Sequence, residues 1–247
     1  MKVILITGAS RGIGMATALL LAKQGYGVAI NYQKNQVAAE KVVINIKGNG
    51  GTAIALKADI SKEKEIIRMF AECDRLLGPI YGLVNNAGIL EKQMRVEEMN
   101  MERLQRILAT NVAGQIICAR EAIRRMSLKH GGKGGVIVNI SSIAARTGSP
   151  GEYVDYAASK GSIDTFTIGL SKEVAEEGIR VNAVRPAFIN TDIHADGGEP
   201  GRVERIKNSI PIKRGGLADE VAEAVLWLIS EKSSYTTGTF INVSGGM

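Results

Sequence analysis

The chain has 247 residues, of which 45% are hydrophobic, 23% charged and only 4% aromatic, a composition that excludes disordered, collagen-like and coiled-coil proteins and suits one large or two small domains. Because aromatic residues are scarce, we expect a core of Val, Ile, Leu and Ala, as in buried parallel strands covered by Ala-rich helices. The formal net charge of +6 is spread over basic residues that usually lie beside acids, with no aromatic residues interleaved, so we expect no nucleic-acid partner.

Short apolar runs alternate with longer amphipathic stretches along the chain. Runs typical of strands occur at 3–6, 27–31, 52–56, 82–84, 135–140, 179–184 and 240–243. Stretches typical of helices lie at 12–24, 36–47, 62–77, 101–126, 157–177 and 219–230. This alternation predicts an α/β fold, a single-domain Rossmann fold over residues 1–247, with a doubly wound seven-stranded parallel sheet and helices on both faces. The irregular stretch 187–211 is a candidate substrate lid.

The N-terminus and the cysteines bear on the compartment. Residues 1–6 are too short for the apolar region of a signal peptide and are interpreted as the first strand. No apolar run approaches the ~20 residues of a membrane helix. Cys73 and Cys118 lack a Cys-x-x-Cys or His partner and are interpreted as reduced thiols. We predict a cytoplasmic protein that contacts no membrane and holds no metal.

A glycine-rich turn, Thr7-Gly8-Ala9-Ser10-Arg11-Gly12-Ile13-Gly14, follows the first apolar run. Gly8 permits a tight turn, Gly12 lets backbone N–H groups approach a pyrophosphate, and Gly14 lets the next helix pack close to the strand. The helix N-terminus adds partial positive charge for the phosphates. Because the glycine spacing differs from the commoner Gly-x-Gly-x-x-Gly, a merely flexible loop is the alternative; the position between a strand and a helix disfavours it.

The end of the second strand usually decides between NAD and NADP, because an Asp or Glu there binds the ribose hydroxyls and repels a 2′-phosphate. Here neutral Asn31 occupies the diagnostic place. Arg11 can supply a cationic donor to the phosphate, and so can Lys34, for which a solvated surface charge is the alternative. The sequence therefore favours NADP(H), and NAD(H) stays open.

Tyr156 and Lys160 lie four residues apart, and hence on one helix face. An ammonium beside a phenol lowers the phenol pKa from about 10 towards neutrality, which makes Tyr a usable acid or base. A Ser hydroxyl at the end of the fifth strand, Ser141 or Ser142, can hold a substrate oxygen in the same site. A Tyr-x-x-x-Lys pair arises often by chance, so its position beside that strand end carries the interpretation.

With these motifs the sequence resembles the short-chain dehydrogenase/reductase family over essentially its whole length, and within it the bacterial glucose dehydrogenases and 3-oxoacyl-carrier-protein reductases. The resemblance rests on the 7–14 turn, Asn85-Asn86-Ala87-Gly88, Asn111, Ser142, Tyr156, Lys160 and Arg185-Pro186. It implies an NADP-dependent oxidoreductase that interconverts a secondary alcohol and a ketone or aldehyde by hydride transfer. It also implies a homotetramer that uses the long fourth and fifth helices, the sixth helix and residues 240–247 as interfaces.

The family assigns a catalytic role to four residues. Tyr156 would protonate the carbonyl oxygen or deprotonate the alcohol, and Lys160 would lower its pKa and bind the nicotinamide ribose. Ser142, preferred over Ser141, would position the substrate oxygen. Asn111 would anchor a water in a proton relay to Lys160; an ordinary helix residue satisfied by backbone is the alternative.

The resemblance also assigns the cofactor contacts. Asp59 would accept from the adenine amino group, with the N-terminus of the following helix as an equally weighted role. Ile189 and Thr191 would hold the carboxamide. The full cofactor set comprises Gly8, Ser10, Arg11, Gly12, Ile13, Gly14, Asn31, Tyr32, Asp59, Ile60, Asn86, Ala87, Gly88, Tyr156, Lys160, Pro186, Ile189 and Thr191.

Two questions stay open at this level. A non-catalytic NAD(P)-binding regulator on the same fold is the alternative function, although such proteins typically lack the Tyr or the Lys. The small-molecule substrate is not readable. The expected pocket walls carry five cations, which either attract an anionic substrate or, the favoured interpretation, are simply solvated: Lys92, Arg95, Arg146, Arg202 and Arg205.

Overall fold

A computed structural model describes residues 1–247. The strands are β1 (Val3–Ile6), β2 (Gly27–Tyr32), β3 (Thr52–Lys57), β4 (Ile80–Asn85), β5 (Gly135–Ile140), β6 (Ile179–Pro186) and β7 (Phe240–Val243). The helices are α1 (Gly12–Lys23), α2 (Gln36–Gly48), α3 (Glu63–Leu77), α4 (Met101–Leu108), α5 (Gln115–Met126), α6 (Ala144–Thr147), α7 (Val154–Glu173), α8 (Ile193–Asp196), α9 (Arg202–Ile206) and α10 (Ala218–Ile229). Short 3₁₀ turns occur at 96–98, 128–130, 207–209 and 231–233.

All seven strands form one parallel sheet in the order β3-β2-β1-β4-β5-β6-β7. The chain builds outward from β1 to β3, then crosses back to place β4 on the other side of β1. This reversal makes the sheet doubly wound, as predicted, and leaves a crevice beyond the carboxyl ends of β1 and β4, where such sheets bind ligands.

Helices cover both faces of the sheet and bury two aliphatic clusters. On one face α1, α2 and α10 pack through residues such as Leu21, Val42 and Val225. On the other face α3, α5 and α7 contribute Met69, Ala119 and other apolar side chains. Few aromatic residues take part, which confirms the core composition that the sequence predicts.

The predicted helix 101–126 is the main departure. A π-helical segment, Ala109–Gly114, divides it into α4 and α5. At the end of that segment a Cβ on Gly114 would lie 2.3 Å from the carbonyl oxygen of Ile60. The wide turn therefore accommodates a close approach to the β3–α3 loop that a regular, side-chain-bearing helix would obstruct.

Two other boundaries also differ from prediction. The predicted helix 157–177 begins at Val154 and ends at Glu173, so Tyr156 lies inside its first turn. The irregular stretch 187–211 contains the short helices α8 and α9.

The structure also describes the cysteines and the membrane-spanning potential of the helices. Cys73 and Cys118 are free and buried, and burial raises the pKa of the Cys73 thiol to about 12, as expected for an inert core thiol. None of the helices combines the length and apolar character that a membrane span requires. No three His, Cys, Asp or Glu side chains are placed to share a metal ion.

Candidate active site

A cleft of about 1210 Å³ opens at the carboxyl ends of the strands. It exceeds the roughly 300–1,000 Å³ of pockets for drug-sized ligands, so it has room for a dinucleotide and a small substrate together. Every site residue predicted from the sequence lines this cleft except Gly14 and Asn111. Residues as far apart in the chain as Gly8 and Thr191 therefore share one cavity.

The glycine turn packs closely against the loop that follows β4. Gly8 has a φ of +63°, and a Cβ there would lie 2.9 Å from the Ala87 Cα. A Cβ on Gly14 would lie 2.6 Å from the Asn86 Nδ2, so Gly14 acts behind the cleft, in packing. The Asn86 Nδ2 donates to the carbonyl oxygens of Thr7 and Gly8, at 2.8 and 3.0 Å. Gly8, Gly12 and Ile13 line the cleft at the start of α1, where backbone N–H groups fit a pyrophosphate.

Asn31 is a buried structural residue. Its Oδ1 accepts from the Gly8 N–H at 3.1 Å, and its Nδ2 donates to the carbonyl oxygens of Leu56 and Ala58. The side chain thus ties the glycine turn to the end of β3, while the residue also lines the cleft. The residues that follow Asn31 into the cleft are Tyr32, Gln33, Lys34 and Asn35, none of which is acidic.

Arg11 and Asp59 face the cleft but already have partners. Arg11 bonds to the carboxylate of Asp196 and lies 3.8 Å from that of Asp192, both in the 187–211 stretch. Asp59 accepts from both the N–H and the hydroxyl of Ser61, at 3.0 and 2.7 Å, and these bonds together lower its pKa despite partial burial. These bonds form a turn before α3, which begins at Glu63 without a side-chain cap from Asp59. The carboxylate also lines the cavity, and both predicted roles of Asp59 stay predictions.

Tyr156, Ser142 and Lys160 meet at the centre of the cleft. The Lys160 Nζ donates to the Ile140 carbonyl oxygen at 2.7 Å and lies 5.6 Å from the centre of the Tyr156 ring. The hydroxyl of Ser142, which follows β5, donates to the Pro186 carbonyl oxygen at 3.4 Å and accepts from the Ala144 N–H at 3.1 Å. It is near enough to the Tyr156 phenol to act against the rise in the phenol pKa. The three side chains therefore form one cluster, as predicted.

The protonation states of the Tyr–Lys pair differ from the sequence-based expectation. Burial raises the pKa of Tyr156 to about 12, although Ser142 and Arg202 act to lower it. Burial lowers the pKa of Lys160 to about 8, although Asp164 acts to raise it. The expected depression of the phenol pKa by Lys160 is wrong for this state, because loss of hydration disfavours both charges. Tyr156 is consequently a neutral proton donor at pH 7.

Ser141 and Ser142 differ in direction. The Ser141 hydroxyl is buried and donates to the Asp164 carboxylate at 2.6 Å. Arg185 binds the other oxygen of that carboxylate at 2.8 Å. Both serines line the cleft, but the Ser141 hydroxyl is engaged by Asp164, which favours Ser142 as the hydroxyl available to a substrate.

Asn111 sits in the π-helical segment behind the cleft and is fully buried. Its Oδ1 accepts from the Ile89 N–H at 2.8 Å, and its Nδ2 donates to the Ile89 carbonyl at 3.0 Å and to the Ser159 hydroxyl at 3.2 Å. The side-chain amide is thus satisfied mainly by backbone groups, and the role of Asn111 in a proton relay to Lys160 stays a prediction.

A buried ion pair that sequence reasoning missed supports the start of α7. The guanidinium of Arg103 on α4 contacts the Asp155 carboxylate at 2.6 Å, with both side chains almost completely buried. Asp155 also accepts from the Tyr156 N–H at 2.9 Å. Asp155 directly precedes Tyr156 in the sequence, which could have indicated a supporting role for its carboxylate. Nothing in the sequence points to Arg103.

The end of the cleft beyond Tyr156 contains His194, which the sequence did not single out, beside the predicted residues Ile189 and Thr191. His194 on α8 is buried, with Nε2 3.0 Å from the Ile189 carbonyl oxygen. Ile189 is buried and Thr191 lies beside it on the same loop, its hydroxyl 3.4 Å from the Ile189 carbonyl. Of the five cations expected in the pocket walls, only Arg202 lines the cavity.

Comparison with known proteins agrees with this geometry. A family model described as enoyl-(acyl carrier protein) reductase matches residues 8–247. The chain is 60% identical over 246 residues to the uncharacterized oxidoreductase YgfF of Escherichia coli, covering 100% of both chains. It is 39% identical to a 3-oxoacyl-[acyl-carrier-protein] reductase of Synechocystis, covering 100% of this chain and 96% of that one.

Solved structures are similar over the same length. A short-chain type dehydrogenase/reductase from Mycobacterium marinum has a TM-score of 0.93 at 33% identity, covering 99% of this chain and 94% of that one. A 3-ketoacyl-(acyl-carrier-protein) reductase from Brucella melitensis, complexed with NADH, has a TM-score of 0.91 at 34% identity, covering 99% and 97%. The chain is an oxidoreductase of the short-chain dehydrogenase/reductase family.

Proposed function

We propose that the protein is an NADP(H)-dependent oxidoreductase that interconverts a secondary alcohol and a ketone or aldehyde, with Tyr156 as the acid and base. The observation that carries this proposal is the cluster of Ser142, Tyr156 and Lys160 inside a cleft of dinucleotide size. When bound there, the nicotinamide would supply or accept the hydride.

The chain's own groups divide the remaining work. Tyr156, protonated near neutral pH, gives its phenolic proton to the carbonyl oxygen and takes it back in the alcohol direction. Ser142 donates to the same oxygen and keeps it at the phenol. Lys160 binds ribose hydroxyls through Nζ and, in its ammonium form, stabilises the phenolate that Tyr156 becomes.

The predicted cofactor residues divide between the two ends of the dinucleotide. The glycine turn from Gly8 to Gly14 would hold the pyrophosphate through backbone N–H groups. Asp59 and Ile60 would contact the adenine, with Asn86 to Gly88 beside the adenosine. Pro186, Ile189 and Thr191 would line the nicotinamide, and residues 187–211 would act as a lid over the substrate.

The preference for NADP(H) rests on charge at the end of β2. The cleft-lining residues 32–35 include Lys34 and no carboxylate that would repel a 2′-phosphate. When the cofactor binds, Arg11 would leave the carboxylates of Asp192 and Asp196 and bind the 2′-phosphate instead. We expect kcat/KM to be at least tenfold higher for NADPH than for NADH, and Arg11→Gln to reduce this ratio. Equal use of both cofactors would contradict the preference.

The test of the proposed chemistry is Tyr156→Phe. This variant removes only the proton donor, so we expect turnover with a panel of carbonyl compounds to fall about 1000-fold, while calorimetry gives near wild-type NADPH binding. The fully exposed Tyr235 provides a control, because Tyr235→Phe makes the same chemical change outside the cleft. Retained turnover in Tyr156→Phe would refute the acid role. Tight NADPH binding by the wild type with no turnover of any carbonyl would instead favour a non-catalytic regulator.

We also propose a cytoplasmic homotetramer. Buried free thiols are compatible with a reducing compartment. Exposed apolar side chains occur on the elements named as interfaces, including Met101, Leu108 and Ile168.

A further inference from the structure

Arg202 is a buried cation at the substrate end of the cleft. Its side chain is 10% exposed, it lines the same cavity as Tyr156 and Ser142, and its charge acts on the Tyr156 phenol. The guanidinium lies over the rings of Tyr153 and Phe188, at 4.6 and 5.1 Å. Packing between two rings fixes its position, which a solvated surface arginine would not require.

The hydrogen-bonding capacity of Arg202 is mostly unused. Its Nη2 donates to Glu152, whereas the buried Nε has no acceptor and lies 4.0 Å from the Glu199 carboxylate. A guanidinium carries five N–H donors, and leaving buried donors unpaired costs free energy. The Nε–H is therefore a buried donor that an acceptor entering the cleft would pair.

His194 provides a second, independent sign of a missing ligand at this end. Its Nε2 faces the Ile189 carbonyl, which only accepts, so Nε2 carries the proton. The buried Nδ1 then remains an acceptor without a partner. A ligand hydroxyl, or a water held by a bound anion, would satisfy it.

The surrounding charges limit what anion can bind. Arg202 and Arg205 share the carboxylates of Glu152 and Glu199, so the group of four is electrically balanced. A monoanionic carboxylate can accept a charge-assisted hydrogen bond from the free Arg202 N–H, whereas a phosphate dianion would bring a second negative charge beside the two glutamates without a second free cation. A carboxylate fits these conditions.

From these contacts we propose that Arg202 forms a carboxylate subsite, and that the substrate is an oxo acid or hydroxy acid whose carbonyl or alcohol carbon lies at Tyr156. The proposal rests on the oxidoreductase function proposed above and names its substrate class. Arg202 acts here in binding and orientation, with no part in the proton transfer.

The experiment compares 2-, 3- and 4-oxo acids with their methyl esters, assayed with NADPH. We expect the wild type to prefer at least one acid over its ester, and Arg202→Gln to lower that acid-to-ester ratio of kcat/KM about 30-fold, the loss expected for a charge-assisted pair. The ratio is informative because any effect of Arg202 on the Tyr156 phenol changes both substrates alike.

Arg205→Gln is the matched control. Arg205 binds the same two carboxylates but is half exposed and does not line the cavity, so its removal should leave the acid-to-ester ratio within threefold of wild type. Equal ratios in wild type, Arg202→Gln and Arg205→Gln would overturn the subsite, as would a wild-type preference for every ester.

Calorimetric titration of the same acids in the presence of NADP⁺, which cannot reduce them, separates the two proposals. Arg202-dependent binding of an acid without turnover of any acid or ester would refute the proposed function and retain the subsite. Turnover of the esters with no Arg202-dependent binding of an acid would retain the function and refute the subsite.

Discussion

Tyr156 and Lys160 illustrate how burial changes the chemistry of a motif. Spacing alone places the two side chains on one helix face, and proximity alone would lower the phenol pKa. In the folded protein the Nζ donates to the Ile140 carbonyl, and both charged forms lose hydration. The phenol therefore keeps its proton near pH 7, the state required to protonate a carbonyl.

The lowered pKa of Lys160 makes a stability prediction. Its pKa is about 8 in the folded protein against an ordinary value of 10.5, so between these values the unfolded chain binds more protons. Stability contributed by this group is least below pH 8 and rises as the pH approaches 10. We expect the free energy of unfolding of the wild type, relative to Lys160→Met, to gain about 2 kcal/mol between pH 8 and pH 10.

Urea denaturation at each pH provides the measurement for Lys160. Lys172 is exposed on the same helix, so Lys172→Met should keep the wild-type dependence on pH. Parallel curves for the wild type and Lys160→Met would contradict the prediction. The window ends at pH 10 because the raised pKa of Tyr156 acts in the opposite direction above it.

At the scale of elements, the position of α7 decides whether its catalytic side chains meet Ser142. The helix begins at Val154, so the Tyr156 N–H is one of the first-turn donors that lack a partner inside the helix. Asp155 accepts that bond, and the buried guanidinium of Arg103 holds Asp155 in place. One ion pair thus connects α4 to the start of the catalytic helix.

Breaking this pair should affect both stability and rate. Arg103→Met leaves the Asp155 charge buried and unpaired, so we expect a loss of about 3–5 kcal/mol in the free energy of unfolding. Displacement of the first turn of α7 should also lower kcat more than it changes the Kd for NADPH. Arg106→Met on the same helix removes an exposed pair with Glu91 and should cost under about 1 kcal/mol. Similar losses in the two variants would argue against the role of burial.

At the scale of the whole molecule, the order of the strands creates the site. Because β4 pairs with β1 on the side away from β2, the loops after these strands diverge and open the crevice that becomes the cleft. Arg11 in the glycine turn bonds to Asp196 in the candidate lid, 185 residues away. The first and last thirds of the chain therefore meet across the mouth of the cavity.

Assembly is the prediction that belongs to this scale. We expect light scattering to give the mass of four chains. Ile168 is 43% exposed on α7, and Ile168→Glu would place a charge in an apolar contact between copies, so we expect it to shift the population towards smaller species. Ile44→Glu makes the same chemical change at an exposed residue of α2, which is not among the proposed interfaces, and serves for comparison. A monomeric wild type at micromolar concentration would refute the tetramer.

Local patterns in the sequence determined the alternation of strands and helices, the glycine turn and the Tyr–Lys pair, because each depends on neighbours within a few residues. Only the tertiary structure decided that the side chains of Asn31 and Asn111 hydrogen-bond to backbone groups. It also decided that the Ser141 hydroxyl binds Asp164, and that Arg202 alone of five candidate cations lines the cavity. These outcomes depend on burial and on partners distant in the chain, and burial sets both the cost of a charge and the need for a hydrogen bond.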